Sequence, residues 1–310
     1  MRDQLAVQRF GLPEWMMSVL LSFTWGSSFL LIAIAIEDLD PVVVPFGRAL
    51  AGAVALSLFP GARDRVLLRD WRRIGILGLV WMAIPFWLFP LAEQTVTSSI
   101  AGMINGGLPV VMAVVTALWV RRRPSIRRIA AIVLGFVGIA IITFPALCAE
   151  SVSGDSIADL KGITLLLCAV LCYAIGANVA RPLQARYSPA RLLMRVQFAA
   201  AAWSLPVALP GIARSEYSSQ SVAAVLVLGV IGTGTAFVVF GTLLERTGIT
   251  RAMIPTYFTP VVGLILGAIF RDEHIAIVSV LGMCIVIFSA WMTSKPDEHD
   301  VMLSDTIPTR

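Results

Sequence analysis

The sequence contains little charge. Only 14% of its 310 residues are charged, whereas an ordinary soluble domain carries nearer ~25%. The mean hydropathy is +0.86 and the hydrophobic share is 58%. These values argue against a soluble domain and predict an all-α integral membrane protein whose solvent is a lipid bilayer.

Residues that carry catalytic or metal chemistry are also scarce. The two histidines, His274 and His299, lie outside the apolar segments, and the four cysteines show no paired extracellular spacing. The sequence has no phosphate-binding loop, no Gly-x-Ser-x-Gly and no His-Glu-x-x-His motif. We therefore expect no catalytic residues, no metal site and no cofactor, and we do not expect an enzyme.

Acidic residues are missing from the centres of the apolar segments. A proton-coupled antiporter usually needs a membrane-embedded carboxylate. Glu93 and Glu245 are the nearest candidates. Each follows or ends an apolar segment, so a solvated helix end is the alternative interpretation for both.

What the chain does contain is a series of apolar segments long enough to cross a bilayer, which takes roughly 20 residues. Ten transmembrane helices are predicted, over about 15–36, 41–59, 73–91, 97–120, 128–147, 160–181, 190–210, 221–244, 251–270 and 275–294.

The 24 basic residues alternate with these segments. Twenty fall on one predicted side of the membrane, Lys161, Arg214 and Arg271 fall on the other, and Arg48 lies within a helix. The positive-inside rule then places both termini in the cytoplasm, with the chain in the cell inner membrane. Short basic clusters between apolar runs do not form the continuous surface that nucleic acid would need.

The two halves of the chain resemble each other. Glu93-Gln94-Thr95 matches Glu245-Arg246-Thr247, and Pro109-Val110-Val111 matches Pro260-Val261-Val262. Each half holds five predicted helices, an odd number, so the second half must enter the membrane from the opposite face. The predicted organisation is a cytoplasmic segment 1–14, a first repeat 15–147, a periplasmic linker 148–159, an inverted second repeat 160–294 and a cytoplasmic tail 295–310.

These motifs carry a resemblance to a known family. Trp25-Gly26-Ser27-Ser28-Phe29, Asp40-Pro41, Arg48, and the stretch from Glu245-Arg246-Thr247-Gly248 to Pro260-Val261-Val262-Gly263 together resemble the EamA family of the drug/metabolite transporter superfamily. The resemblance implies two five-helix repeats around a central cavity, and export or exchange of small metabolites such as amino acids.

Uncharged polar and aromatic residues are the expected lining of the cavity that the resemblance implies, because they suit a small amphipathic substrate. The predicted substrate-binding residues are Trp25, Ser27, Trp81, Asn105, Tyr173, Asn178, Thr256 and Tyr257. A buried asparagine must find hydrogen-bond partners that lipid cannot supply. Hydrogen bonding between helices accounts for Asn105 and Asn178 equally well.

Arg48 lies seven residues beyond Pro41, roughly 10 Å into a helix, where a charge costs ~2 to 3 kcal/mol unless it is paired. It recognises a substrate carboxylate, or it reaches the interface or binds the carbonyls of a neighbouring helix end. Arg195 is its counterpart in the second repeat.

The sequence as a whole predicts a secondary transporter that works by alternating access in the lipid bilayer, and leaves its oligomeric state open. The alternatives are a non-transporting membrane scaffold or assembly partner and, third, an intramembrane enzyme. The inverted repeat favours a carrier over a scaffold, and the missing catalytic motifs disfavour an enzyme.

Overall fold

The computed structural model describes residues 11–121, 125–148, 156–247, 252 and 254–294. The predicted linker and terminal segments lie largely outside these ranges. Within them the chain is helical, with no strand and ten helices. Their bounds are α1 Leu12–Ala35, α2 Val43–Ser57, α3 Leu68–Ala92, α4 Ser98–Val120, α5 Ile126–Cys148, α6 Ser156–Gln184, α7 Pro189–Arg214, α8 Ser219–Gly229 continuing through Val230–Thr235 to Ala236–Thr247, α9 Ile254–Arg271 and α10 Ile277–Ser294.

Seven of these helices are long and apolar enough to cross a membrane, and α2 and α10 are shorter apolar helices. Their outer surfaces carry large apolar side chains in contact with the surroundings, such as Phe23 on α1, Leu118 on α4 and Phe270 on α9. In water such surfaces would be a site of association. On a multi-pass membrane protein they are the surface that faces lipid.

The two repeats pack as a pseudo-symmetric pair. Helix α1 contacts α8 and α9, and its counterpart α6 contacts α3 and α4 in the same way. Helices α2 and α7 pack against each other, as do α5 and α10. The predicted fold of ten helices in two inverted repeats is confirmed.

A π-helical turn occurs at the same place in both repeats. In α3 it spans Gly78–Ala83 and in α8 it spans Val230–Thr235, so the two turns begin 152 residues apart. In α3 the turn precedes Pro85, which has no N–H to donate to the preceding turn. In α8 the hydroxyls of Thr233 and Thr235 donate to the carbonyls of Leu228 and Val230 instead.

Glycines let the two repeats approach closely at these turns. A Cβ on Gly78 would lie 2.7 Å from the Cβ of Ala199 on α7. A Cβ on Gly229, next to the second turn, would lie 2.6 Å from the carbonyl oxygen of Arg48 on α2. Small residues at helix crossings are the usual means of close packing in membranes.

The helix ends define two faces. The basic face holds the connections α2–α3, α4–α5, α6–α7 and α8–α9, and the opposite face holds α1–α2, α3–α4, α7–α8 and α9–α10. On the basic face, Asp64 and Arg191 form an ion pair between the repeats. On the opposite face, Asp40 and Arg214 form the corresponding pair, and Glu37 pairs with Arg271.

Candidate functional site

Aromatic side chains from both repeats meet in the interior. Trp25 on α1 contacts Phe237 and Phe240 on α8, with ring centroids 6.1 and 5.4 Å apart. Trp81, in the π-helical turn of α3, contacts Phe237 from the other side at 6.0 Å. A second group joins α1, α3 and α6, because Phe89 lies 5.6 Å from Phe29 and 6.1 Å from Tyr173. We call these seven residues the aromatic cluster.

Arg48 extends from α2 into the space beside this cluster. Its Nε donates to the hydroxyl of Thr233 at 2.9 Å, in the π-helical turn of α8. Its guanidinium carbon lies 4.1 Å from the ring centre of Phe86 on α3, in cation–π geometry. The residue is only 8% exposed, and it forms no ion pair with any residue that the structure describes.

Arg195 has different surroundings despite its equivalent position. Its Nη1 donates to the carbonyl of Ala62 at 2.8 Å, and its Nη2 donates to the carbonyl of Asp64 at 2.6 Å. Arg195 therefore ties the α2–α3 connection to α7 at the basic face. Of the two arginines, only Arg48 reaches the interior with donors still available.

Glu93 follows α3 directly, and both of its carboxylate oxygens are buried without a hydrogen-bond partner. Phe86, Phe89 and Glu93 are spaced i, i+3 and i+7, so they share one face of α3. The guanidinium of Arg48 lies over Phe86, so Arg48 contacts the face of α3 that leads to Glu93. The solvated helix end considered for Glu93 is therefore not what the structure shows.

The predicted substrate-binding residues are spread over several surroundings. Trp25, Trp81 and Tyr173 belong to the aromatic cluster. Asn105 ends the first half of α4 and is partly accessible; its amide makes no hydrogen bond within the described ranges. Ser27 donates to the carbonyl of Thr24 within its own helix, at 3.2 Å.

Two of the remaining three, Asn178 and Tyr257, bond to neighbouring helices. Asn178 is buried, and its amide bonds the hydroxyl of Thr116 on α4 and the carbonyl of Ala174. Tyr257 donates to the carbonyl of Ala290 on α10 at 3.5 Å, and Thr256 beside it is partly accessible. The contacts of Asn178 are those of hydrogen bonding between helices.

Several residues of the site were not singled out from the sequence. They are Phe29, Phe86, Phe89, Phe237, Phe240 and Thr233. The i, i+3, i+7 spacing of Phe86, Phe89 and Glu93 was the available signal, because it marks one helix face. Phenylalanine is so common on lipid-facing surfaces that the type alone carries little information. Among the described residues, no His, Cys, Asp and Glu side chains form a group that could hold a metal ion.

Comparison with known proteins gives a consistent result. The sequence pattern of the EamA-like transporter family matches residues 13–144 and again residues 160–295. An uncharacterized transporter of Archaeoglobus fulgidus is 22% identical over 288 residues, which cover 92% of this chain and 99% of that protein. The uncharacterized transporter YdfC of Bacillus subtilis is 26% identical over 266 residues, which cover 83% of each chain. Such relatives are named as transporters and not as enzymes.

A solved crystal structure shares the fold. It superposes with a TM-score of 0.62 over 90% of this chain and 95% of the other, at 15% sequence identity. At that identity the likeness concerns the arrangement of the helices alone.

Proposed function

Because the chain belongs to the EamA-like transporter family, we propose that it is a secondary transporter which exports or exchanges small amphipathic metabolites such as amino acids by alternating access. The observation that carries this proposal is the meeting of two inverted repeats around buried aromatic and charged side chains. Inverted repeats place a site near the middle of the membrane, between two bodies that can move against each other.

The contacts at the two faces support this mechanism. Asp64–Arg191 joins the repeats at the basic face and Asp40–Arg214 joins them at the opposite face. Opening toward either side would break the ion pairs at that face while the ion pairs at the other face remain intact. The positive-inside rule assigns the basic face to the cytoplasm, with both termini there and the chain in the inner membrane.

The site that we propose for the substrate is the aromatic cluster with Asn105 at its margin. The aromatic rings bury the apolar part of a ligand. The amide of Asn105 and the hydroxyl of Tyr173 can orient its polar part. Ser27, Asn178, Thr256 and Tyr257 complete the proposed lining, in which Asn178 also holds α6 against α4.

Flux into proteoliposomes tests the transport function. The purified protein is reconstituted, and uptake of labelled amino acids and other small metabolites is measured with and without preloaded solute and with and without a pH gradient. Saturable uptake above that of protein-free liposomes is expected. Stimulation by the gradient indicates proton coupling, and stimulation by preloaded solute indicates exchange. No flux of any solute by folded protein would contradict a carrier and favour a scaffold.

Labelling of introduced cysteines tests the lining separately. In a background without the natural cysteines, Asn105→Cys should react with a water-soluble thiol reagent and be protected by a transported solute. Phe258→Cys on the outer surface of α9 is the control, since Phe258 is 51% exposed and faces lipid. Failure of Asn105→Cys to react from either side of the membrane would remove it from the lining.

A further inference from the structure

Two buried groups of opposite charge lie in the interior without the partners that such groups require. They are the guanidinium of Arg48 and the carboxylate of Glu93. A buried charge is normally paired, because removing it from water without a partner is energetically costly. Here the two groups form no ion pair with each other, although α2, which carries Arg48, contacts the part of α3 that ends beside Glu93.

The terminal nitrogens of Arg48 lack hydrogen-bond acceptors. A guanidinium carries five N–H donors in a planar fork. The Nε donor bonds Thr233, and the face of the group is covered by Phe86. Its terminal nitrogens donate to none of the residues that the structure describes. Such a fork matches the two oxygens of a carboxylate.

The carboxylate of Glu93 lacks a hydrogen-bond donor. Neither carboxylate oxygen accepts a hydrogen bond. The nearby carboxylate of Glu273 is occupied, because it accepts from the backbone of Ser98 and Ser99 at 3.0 and 2.9 Å. The partner that the carboxylate of Glu93 lacks is therefore a donor, and an ammonium group supplies one together with a positive charge.

The space between the two charges is apolar on its α3 side. Phe86 lies at the Arg48 end, Glu93 lies seven residues or about 10 Å further along the helix axis, and Phe89 lies between them. Phe89 contacts Tyr173, whose hydroxyl makes no hydrogen bond within the described part of the chain. The site therefore offers a positive end, a negative end and an aromatic wall.

We propose that Arg48 and Glu93 bind the two charged groups of a zwitterionic α-amino acid, with the substrate carboxylate on Arg48, its ammonium on Glu93 and its side chain against the aromatic cluster. This inference rests on the proposed transport function and assigns the residues that bind the two charged groups of the amino acids proposed there. A zwitterion supplies both missing partners at once. A simple carboxylate or a simple amine supplies one and leaves the other charge buried and unpaired.

Binding to the purified protein tests this assignment independently of flux. The probes are phenylalanine, 3-phenylpropionate, which lacks the ammonium, and phenethylamine, which lacks the carboxylate. Affinity is measured by calorimetry in detergent. We expect phenylalanine to bind at least about tenfold more tightly than either analogue, because each analogue leaves one of the two charged groups without its partner.

Two variants should change this selectivity in opposite directions. Glu93→Gln should abolish the preference for phenylalanine over 3-phenylpropionate, and Arg48→Gln should abolish the preference over phenethylamine. Arg48→Lys keeps the positive charge but not the planar fork of donors, and should retain part of the preference over phenethylamine. Glu216→Gln is the control, because Glu216 is an exposed carboxylate in the α7–α8 connection, on the same face as Glu93, and should leave all three affinities unchanged.

The outcomes separate this assignment from the transport function. Equal affinities for the three probes, no binding of phenylalanine, or preferences that survive both Gln variants would overturn the assignment, even if other solutes are transported. Selective binding of phenylalanine without flux in proteoliposomes would support the assignment and contradict the carrier. Elution of each variant as a monodisperse peak in size-exclusion chromatography shows that it is folded.

Discussion

At the scale of single residues, the crossing of α1 and α9 depends on Gly26. A Cβ at this position would lie 2.5 Å from the Cβ of Val262 and 2.9 Å from the carbonyl oxygen of Thr259. These atoms belong to the backbone or sit next to it, so they cannot move aside cheaply. The neighbouring residue Trp25 belongs to the aromatic cluster, and the close crossing therefore fixes the position of a site residue.

Gly26→Ala should push α1 away from α9. We expect a loss of about 1 to 3 kcal/mol in stability, the usual cost of overpacking, seen as a lower melting temperature in detergent. Gly75→Ala on α3 is the matched control, because a Cβ there meets nothing within 4 Å and alanine favours a helix. Equal melting temperatures for both variants would contradict the close crossing.

Asp38, in the α1–α2 connection, gives a pH-dependent link between the repeats. Hydrogen bonds from the hydroxyls of Ser218 and then Ser221 hold the pKa of its carboxyl below the ordinary value of 3.8. A lowered pKa means that the fold favours the ionised form. The stabilisation is therefore complete above about pH 3.8 and is lost as the pH falls through the folded-state value.

We expect the melting temperature of the protein to fall more steeply than that of Asp38→Asn as the pH is lowered below about 3.8, because Asp38→Asn has no charge to lose. Other carboxylates titrate in both proteins, so the difference between the two curves reports Asp38. Ser219→Ala, at the exposed residue next to Ser218, is the control. Its melting temperature should depend on pH in the same way as that of the unmodified protein. Parallel curves for Asp38→Asn and the unmodified protein would refute the expectation.

At the scale of elements, the start of α4 is completed by a residue of the other repeat. The first N–H groups of a helix have no partner within it. Glu273 accepts from the N–H groups of Ser98 and Ser99 and from the hydroxyl of Ser98. Thr97 accepts from the N–H of Ile100. A carboxylate at a helix N-terminus is also favoured by the helix dipole.

Replacing Glu273 by alanine should lower the stability by about 0.5 to 2 kcal/mol, as for the loss of other helix caps. Glu273→Gln keeps an acceptor oxygen and should lose less. His274→Ala, a change at the exposed next residue, serves as the reference and should have no effect. Thermal unfolding of the three variants in one detergent provides the measurement, and an unaltered melting temperature for Glu273→Ala would count against the cap.

The sequence predicted the helices better than the irregularities within them. Apolar length gave ten helices near their observed positions because a bilayer demands that length. Helix α3 begins at Leu68, before the predicted residue 73. The prediction followed the apolar residues, whereas the helix also includes the charged residues Arg69 and Arg72 that precede them. Helix 97–120 was predicted to be continuous, but it is interrupted at Gly106 and Gly107. Pro109 contributes to the interruption because it has no N–H to donate to the preceding turn. The π-helical turns have no comparable signature in apolar content.

At the scale of the whole molecule, both faces carry polar links between the repeats, and alternating access requires each set to open in turn. Cross-linking tests this. In a background without the natural cysteines, Glu37→Cys with Arg271→Cys should form a disulfide that holds the opposite face shut. Asp64→Cys with Arg191→Cys should do the same at the basic face. Either disulfide should stop flux, and a reductant should restore it.

The four single-cysteine proteins are the controls for this experiment and should transport with or without oxidant. Flux that continues through a fully oxidised pair would mean that the linked face does not open during transport.

The candidate site was only partly predictable, for a reason that belongs to this scale. Trp25, Trp81 and Tyr173 were predicted because aromatic residues suit a small amphipathic substrate, and the structure places all three in the aromatic cluster. Arg48 and Glu93 were noticed as unusual, but their relation depends on how α2 and α3 are brought together by α7 and α8. The sequence pattern of one helix shows which residues share a face. It does not show which face of another helix those residues contact.

The cap on α4 also bears on how the protein is made. The ribosome completes α4 more than 150 residues before Glu273 is synthesised. Until then the amide groups of Ser98 and Ser99 lack the acceptor that they have in the folded protein. The first repeat is therefore completed only when one of the last stretches of the chain has been synthesised, and truncation after α8 would leave this helix end of the first repeat without its cap.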